Sequence, residues 1–595
     1  MSSQSQRIRF AALFFCCFLA FPVMGQRTPI KDSALQQMAY LTAMKNARTP
    51  AQTKIASSLL YEAASRNAVF RAALPAFESR LDIGADDRVL VDLNSQVSPA
   101  VLDRINQLGG EVINAHARFD AIRADMPLAS LEALAELAEV RHIQPAARFV
   151  NRVTTEGDTS HAADTARATF GVDGTGVRVG VISDSVEELA ALQGTGELPP
   201  GVTVLPGQAG TGLSEGTALM EIIHDMAPGA ELFFATAAGG KAQFAQNILD
   251  LQAAGCDIIV DDIIYLNEAV YQDDVIAQAV ETVHAQGTLY FSAAGNEGNL
   301  SSGNSGTWEG AYSGAPLPAP LVGNGISAHD FGSGVVGNQV TLDSPSFFTL
   351  AWANPLGAAS DDYDLFLLDP TLANVVAAST TTQNGTQDPF EAIDSEVSND
   401  LNNRVVVTLF GGNSVFFHLS TQRGRLDIGT DGQIYGHAAA ENAVAVAAVR
   451  ALLAGAFTGG PANPVEEFSS DGPRIIFFNA DGSPVNVRGA NSIVRQKPDI
   501  AAANGVSTAS SNFGTFFGTS ASAPHAAGIA ALFNELFPSI PVDGAIDIFK
   551  SSALDIDALG IDVNSGNGII MADEALGTPI FVDGFESGNT SAWTK

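Results

Sequence analysis

Residues 176–183 read GVRVGVIS, and Asp184 follows directly. A nearly unbroken apolar run of this length is the pattern of a strand buried on both faces. Similar runs recur as ELFFATA (231–237), CDIIVDDI (256–263) and TLYFSAA (288–294). Helix-length stretches lie between them, among them AQFAQNILDLQAAG (242–255) and DDVIAQAVETVHAQG (273–287). Buried strands alternating with helices predict an α/β fold, a parallel sheet with helices on both faces. In such sheets chemistry gathers beyond the carboxyl ends of the strands, where Asp184 and Asn296 fall.

The rhythm breaks on both sides of this region. From 299 to about 436 there are strands with turn signals and little helix, such as SFFTLAW (346–352), NRVVVTLF (403–410) and SVFFHLS (414–420). They predict an inserted β-sandwich, after which AENAVAVAAV (440–449) resumes the α/β pattern. Upstream, residues 27–85 are Ala-rich and helix-forming, as in TKIASSLLYEAASRNAVFRAAL (53–74). Then RVLVDLN, SPAVLDRINQLGGEVIN, FDAIRADMP, SLEALAELAEV and RHIQPA alternate as β-α-β-β-α-β over about 87–147. That order is a split-βαβ unit. A polar linker, NRVTTEGDTSHAADTAR, leads into the α/β region, and residues 576–595 form a short tail.

The chain has 595 residues, enough for several units, and 46% are apolar. Thirty Lys and Arg against 65 Asp and Glu leave a net charge of −35, which excludes nucleic acid and anionic membrane as partners. Arg7 and Arg9 precede the apolar run FAALFFCCFLAFPVMG, the pattern of a signal peptide over 1–25 cleaved before Gln26. Export to a secreted or periplasmic location follows, with no membrane contact after signal removal. Cys16 and Cys17 leave with the signal, and Cys256 alone cannot form an internal disulfide.

Four distant segments carry chemistry. GTSASAPHAAGIAAL (518–532) resembles the serine segment of subtilisin-type proteases, with Ser520 as nucleophile at a helix start. SAAGNEG (292–298) resembles their oxyanion-hole segment, with Asn296 as the amide donor. VGVISDSV (179–186) resembles their first triad segment, although Val186 stands where that family has Gly. KPDI (497–500) and GNGIIMADEAL (566–576) extend the resemblance over most of a peptidase domain at 165–575. The split-βαβ unit resembles the family's inhibitory propeptide, giving a propeptide over 26–150.

The chain departs from that family at the second triad segment, where His-Gly-Thr is expected. Here SEGTALMEIIHDMAPGAEL puts Glu215 before Gly216 and Thr217. His224 lies nine residues on (224 − 215) and faces the other side of the helix. His525 matches a structural histidine of the motif, and His161 sits in the linker. Glu215 resembles the glutamate of sedolisins, a related acid-active group, but their partner aspartate corresponds here to Leu219, and they carry an aspartate where this chain has Asn296.

The resemblance therefore implies a secreted serine endopeptidase with an Asp184–Glu215–Ser520 triad and acid-shifted activity on peptide or protein substrates. Its own propeptide would serve as an intramolecular inhibitor. Asp262 falls where the family lines the substrate site and adds a third carboxylate to the cluster. For each residue a plainer role competes: a helix cap at Asp184, a helix-start carboxylate after Ser214 at Glu215, a glycine-flanked turn at Asn296. Two other functions stand beside the peptidase: an inactive binding protein on the same fold, and a peptide ligase or cyclase using the same site. No cofactor is required. Asp361, Asp362 and Asp364, with the Asp-rich DIDALGIDVN (555–564), are candidates for calcium against a reading as solvated loops.

Overall fold

The computed structural model describes residues 30–146, 156–317, 326–486 and 491–578, except positions 79, 80, 82, 85, 343, 344 and 396–398. The signal-peptide reading and most of the tail lie outside the described residues, as does the linker's first part.

Helices α1 (Asp32–Asn46), α2 (Ser57–Ser65) and α3 (Ala68–Ala73) come first. The split-βαβ unit follows, with strands β1 (Arg88–Ser95), β2 (Glu111–His116), β3 (Ala121–Pro127) and β4 (Val140–Pro145). They form one antiparallel sheet in the order β2-β3-β1-β4. Pro99–Gln107 and Leu131–Ala135 are the two helices of the unit. Ser98 caps the first by accepting from the Val101 amide at 3.4 Å, so the boundary written by SPAV is a capped helix start.

The central sheet has seven parallel strands. They are β5 (Arg178–Ser183), β6 (Thr203–Val204), β7 (Glu231–Thr236), β8 (Ile258–Asp261), β9 (Leu289–Ala293), β10 (Ala443–Arg450) and β11 (Ile500–Asn504). Their order is β11-β10-β9-β8-β5-β7-β6. The order reverses between β8 and β5, which are neighbours, and the carboxyl ends of a switch point are where an α/β sheet opens a crevice. Alternation along each strand divides the core. Val179, Val181, Val260 and Phe291 face the helices Glu215–Met226 and Thr519–Leu536; Ile182, Ile259 and Tyr290 face Lys241–Ala253 and Val275–His284.

Between β9 and β10 the chain builds the insert. One sheet pairs Thr307–Ala311, Phe416–Ser420, Phe347–Trp352 and Phe390–Asp394; a second carries Asp362–Leu368 and Arg404–Gly411. Phe348, Leu350, Trp352, Tyr363, Val407 and Phe417 close the space between the sheets, so this is a sandwich with a core of its own.

Two sequence expectations change here. Asp362 and Asp364 are buried rather than solvated, and the Lys45 ammonium lies 2.7 Å and 2.6 Å from their Oδ1 atoms. Asp361 accepts from the Asn354 side-chain amide at 2.8 Å and the Asn413 backbone amide at 2.7 Å. These carboxylates are committed to protein donors, because a buried charge must find a counter-ion or hydrogen bonds. Ser214, the expected cap, instead adopts φ 68°, and its side chain makes no cap bond to the helix start.

Candidate active site

At the switch point two acidic residues follow neighbouring strands: Asp184 after β5 and Asp262 after β8. The register pairs Ile182 with Asp261, which brings Ser183 beside Asp262. By strand alternation Asp262 shares the face of Val260, towards the Glu215 helix, and Asp261 takes the opposite face.

Asp184 is 3% exposed and its carboxylate accepts backbone amides. Oδ1 accepts from Glu215 at 2.8 Å and Gly216 at 3.4 Å, and Oδ2 from Leu213 at 2.5 Å. Asp184 therefore supplies the cap of the Glu215 helix, satisfying amide donors left over at its start and fixing the backbone that carries Glu215. Gly212 and Gly216 permit the approach. A Cβ at Gly212 would meet Asp184 Oδ2 at 2.3 Å, and one at Gly216 would meet the Phe234 ring at 2.3 Å.

Glu215 is fully buried. The carboxyl group paired with its side chain is that of Asp262, and the Ser183 hydroxyl lies near the same carboxyl. Burial drives Asp262 well above the ordinary carboxylate range, and the Asp184 charge adds to the rise; the neighbouring Glu215 carboxyl and Ser183 hydroxyl pull against it. Two carboxyl groups in a buried hydrogen bond hold one proton between them, since both cannot ionise there together.

Ser520 is the second residue of the helix Thr519–Leu536 and is 1% exposed. Gly518, at φ 106°, opens that helix in a backbone conformation that favours glycine. Pro524 lacks the N–H that would bond the Ser520 carbonyl. The helix packs along the Glu215 helix, and a Cβ at Gly528 would lie 2.5 Å from that of Met226. Both helices begin at the carboxyl edge of the sheet.

Asn296, half-buried in the loop after β9, accepts from the Thr519 amide through Oδ1 at 2.9 Å. That bond fixes the amide next to Ser520 and leaves Nδ2 as a donor without a partner among the described residues. Gly295 N donates to Thr519 Oγ1 at 3.1 Å, locking the two segments together.

The histidines are occupied elsewhere. His161 donates from Nδ1 to the Ile570 carbonyl at 2.6 Å and accepts from the Ala503 amide at Nε2 at 2.9 Å. Burial pushes it down to about 4. His525 donates to the Ala521 carbonyl at 2.7 Å, its ring 5.4 Å from that of His161, and burial holds it neutral. His224 is in the last turn of the Glu215 helix, about 13 Å along the axis from Glu215.

On the far face of the sheet lies a network that sequence reasoning missed. His437 Nδ1 bonds Glu268 Oε2 at 2.8 Å, its Nε2 bonds Asp261 Oδ1 at 3.0 Å, and Ser292 Oγ donates to that same Oδ1 at 3.0 Å. Burial opposes the imidazolium, but Glu268 and Asp261 together outweigh it and raise His437 to about 10. All four side chains are buried, and the network ties the chain's return from the insert to β8 and β9. Its only sequence signal is a histidine in the apolar run that resumes after the insert.

The fold and the site together define an α/β protein with a serine, a carboxyl pair and an amide donor at the carboxyl edge of its sheet. Residues 332–568 match the model of the Subtilase family (Peptidase_S8). This segment contains Ser520; Asp184, Glu215, Asp262 and Asn296 precede it. No curated protein sequence matches the chain. Among solved structures, the Clostridium perfringens CspB protease aligns with a TM-score of 0.46 at 12% identity, covering 71% of this chain and 99% of its own. Fervidolysin from Fervidobacterium pennivorans, a keratinolytic enzyme related to subtilisin, aligns with a TM-score of 0.40 at 13% identity, covering 86% and 65%. MycP1 with its N-terminal propeptide removed gives 0.34 at 16% identity, covering 72% and 99%.

Proposed function

We propose that this chain is a serine endopeptidase in which a proton-sharing carboxyl pair, Glu215 and Asp262, takes the place of an imidazole base. The observation that carries the reading is the buried Glu215–Asp262 hydrogen bond, at the edge from which the Ser520 helix starts and where no histidine is available.

In this reading the Ser520 hydroxyl attacks the scissile carbonyl and its proton passes to the Glu215 carboxylate. Asp262 shares the pair's single proton with Glu215, so the two carboxyl groups together carry one negative charge that can take up the serine proton. The tetrahedral oxyanion is met by Asn296 Nδ2 and by amides at the start of the Ser520 helix. Glu215 then gives its proton to the leaving amine, and water repeats the cycle on the acyl-enzyme. Asp184 acts through the backbone of Glu215 and is a positioning residue. One proton must stay on the pair, so activity is acid-shifted: removing it sets two carboxylates against each other.

Export of the chain, with the N-terminal region as an inhibitory propeptide cut near residue 150, belongs to the same proposal. The test is mass-spectrometric mapping of cleaved peptides, from this chain and from added protein, for the wild type, Ser520→Ala and Glu215→Ala. The reading expects cleavage by the wild type at acid pH and none by either variant. Cleavage that survives Ser520→Ala would overturn it.

A further inference from the structure

The N-terminal region touches the α/β unit lightly. Asn114 Nδ2 donates to the Gly239 carbonyl at 3.0 Å, Arg123 Nη1 to Ala238 at 3.4 Å, and Phe119 packs at the edge of the core there. Its larger contact is with the insert. Leu35, Met38, Leu41, Tyr61, Phe70 and Leu74 form one buried cluster with insert residues that include Phe366, Leu368, Val375 and Val406. Hydrogen bonds run along the same seam. Lys31 N donates to Leu372 O at 2.9 Å, Val375 N to Gln37 Oε1 at 2.7 Å, Thr380 N to Ser57 Oγ at 2.9 Å, and Glu78 N to Val376 O at 3.0 Å.

At the centre of the seam Lys45, 4% exposed, sets its ammonium against Asp362 and Asp364 and 4.2 Å from the centre of the Phe410 ring. Glu391, buried beside them, adds a third acid to the environment of this one cation. Arg48, one turn on, donates to the Thr380 carbonyl at 2.8 Å. The insert thus offers an apolar sheet face with an acidic pit, and α1 fills the pit with its one buried lysine. Withdrawing Lys45 would leave buried acids without a cation, which costs far more than losing a surface ion pair.

We infer that the sandwich insert is a second docking surface for the N-terminal region, with Lys45 as the residue that specifies it. Residues 30–146 therefore stay bound to the rest of the protein after the chain is cut between 147 and 155. The regulatory sense of this, an inhibitor retained after cutting, rests on the peptidase reading; the binding itself does not.

The experiment uses the full chain carrying Ser520→Ala, with the recognition sequence of a site-specific endopeptidase placed within residues 147–155. After cutting, gel filtration under serial dilution measures how much N-terminal fragment stays bound. The fragment of the parent co-elutes with the remainder. Lys45→Met weakens retention by on the order of 100-fold or more. Lys45→Met combined with Asp362→Asn and Asp364→Asn recovers most of that loss, because the buried charges disappear along with their counter-ion. The inference is overturned by a parent that falls apart once cut, by Lys45→Met binding as the parent does, or by a triple variant no better than Lys45→Met. Because the background has no Ser520, failure of the peptidase reading leaves this result untouched.

Discussion

Asp262 and Glu215 are buried side by side, and the proposed reaction turns on how they share one proton. Asp262→Asn keeps a hydrogen bond to Glu215 while removing one of the two groups that titrate. The expected outcome is reduced turnover with an alkaline limb that is flattened or moved up, read from kcat/KM against pH. Glu215→Gln, which cannot accept the serine proton, should cost about 10³-fold or more in kcat/KM. Asn296→Ala should cost about 10²–10³-fold in kcat with little change in KM, the size known for one oxyanion donor in subtilisin. His437 makes a separate prediction about stability. Its pKa in the folded protein, about 10, lies above the ordinary 6.5, so its contribution is fully present below pH 6.5 and is lost as pH rises through 10. Denaturant unfolding of the wild type between pH 6 and 10 should show that decline, and His437→Gln should be weaker at pH 6 and flatter across the range.

The elements that place these residues are helix starts and strand ends. Asp184 holds three amides ahead of and within the first turn of the Glu215 helix, so Asp184→Ala should cost about 1–2 kcal/mol, checked by denaturant midpoint, together with a loss of kcat. Gly216→Ala would drive a methyl into Phe234 and shift the same turn. The central sheet was legible because both faces of its strands are buried and the sequence writes them as continuous apolar runs. The N-terminal unit was legible through its β-α-β-β-α-β order and the capping serine at 98. Ser520, Glu215 and Asn296 stood out through the small residues around them, which permit tight turns. What the sequence could not give was adjacency across the sheet. That Asp262 bonds the Glu215 side chain while Asp184 serves its backbone follows from the pairing of β5 with β8 and from which face each residue takes. No spacing along the chain encodes that pairing.

Across the whole molecule the same limit recurs on a larger scale. Lys45 and Asp364 are 319 positions apart, and only the docking of the N-terminal helices on the insert brings them together. From sequence the aspartates read as a loop or a calcium site; in the fold they are the counter-charge for a lysine. The split-βαβ unit rests on the α/β domain beside the Lys241–Ala253 helix, while the helices before it grip the sandwich, so the N-terminal region bridges both. The net charge of −35 sets the molecule apart from polyanions.

The central claim, proton removal from Ser520 by a carboxyl pair, is tested most directly by kcat/KM for one peptide substrate from pH 3 to 9, for the wild type and Glu215→Gln. The account predicts a wild-type maximum on the acid side that falls away towards pH 8, and a variant without activity across the range. Full wild-type activity at pH 8 with none at pH 4–5, or a Glu215→Gln enzyme that still turns over, would contradict it.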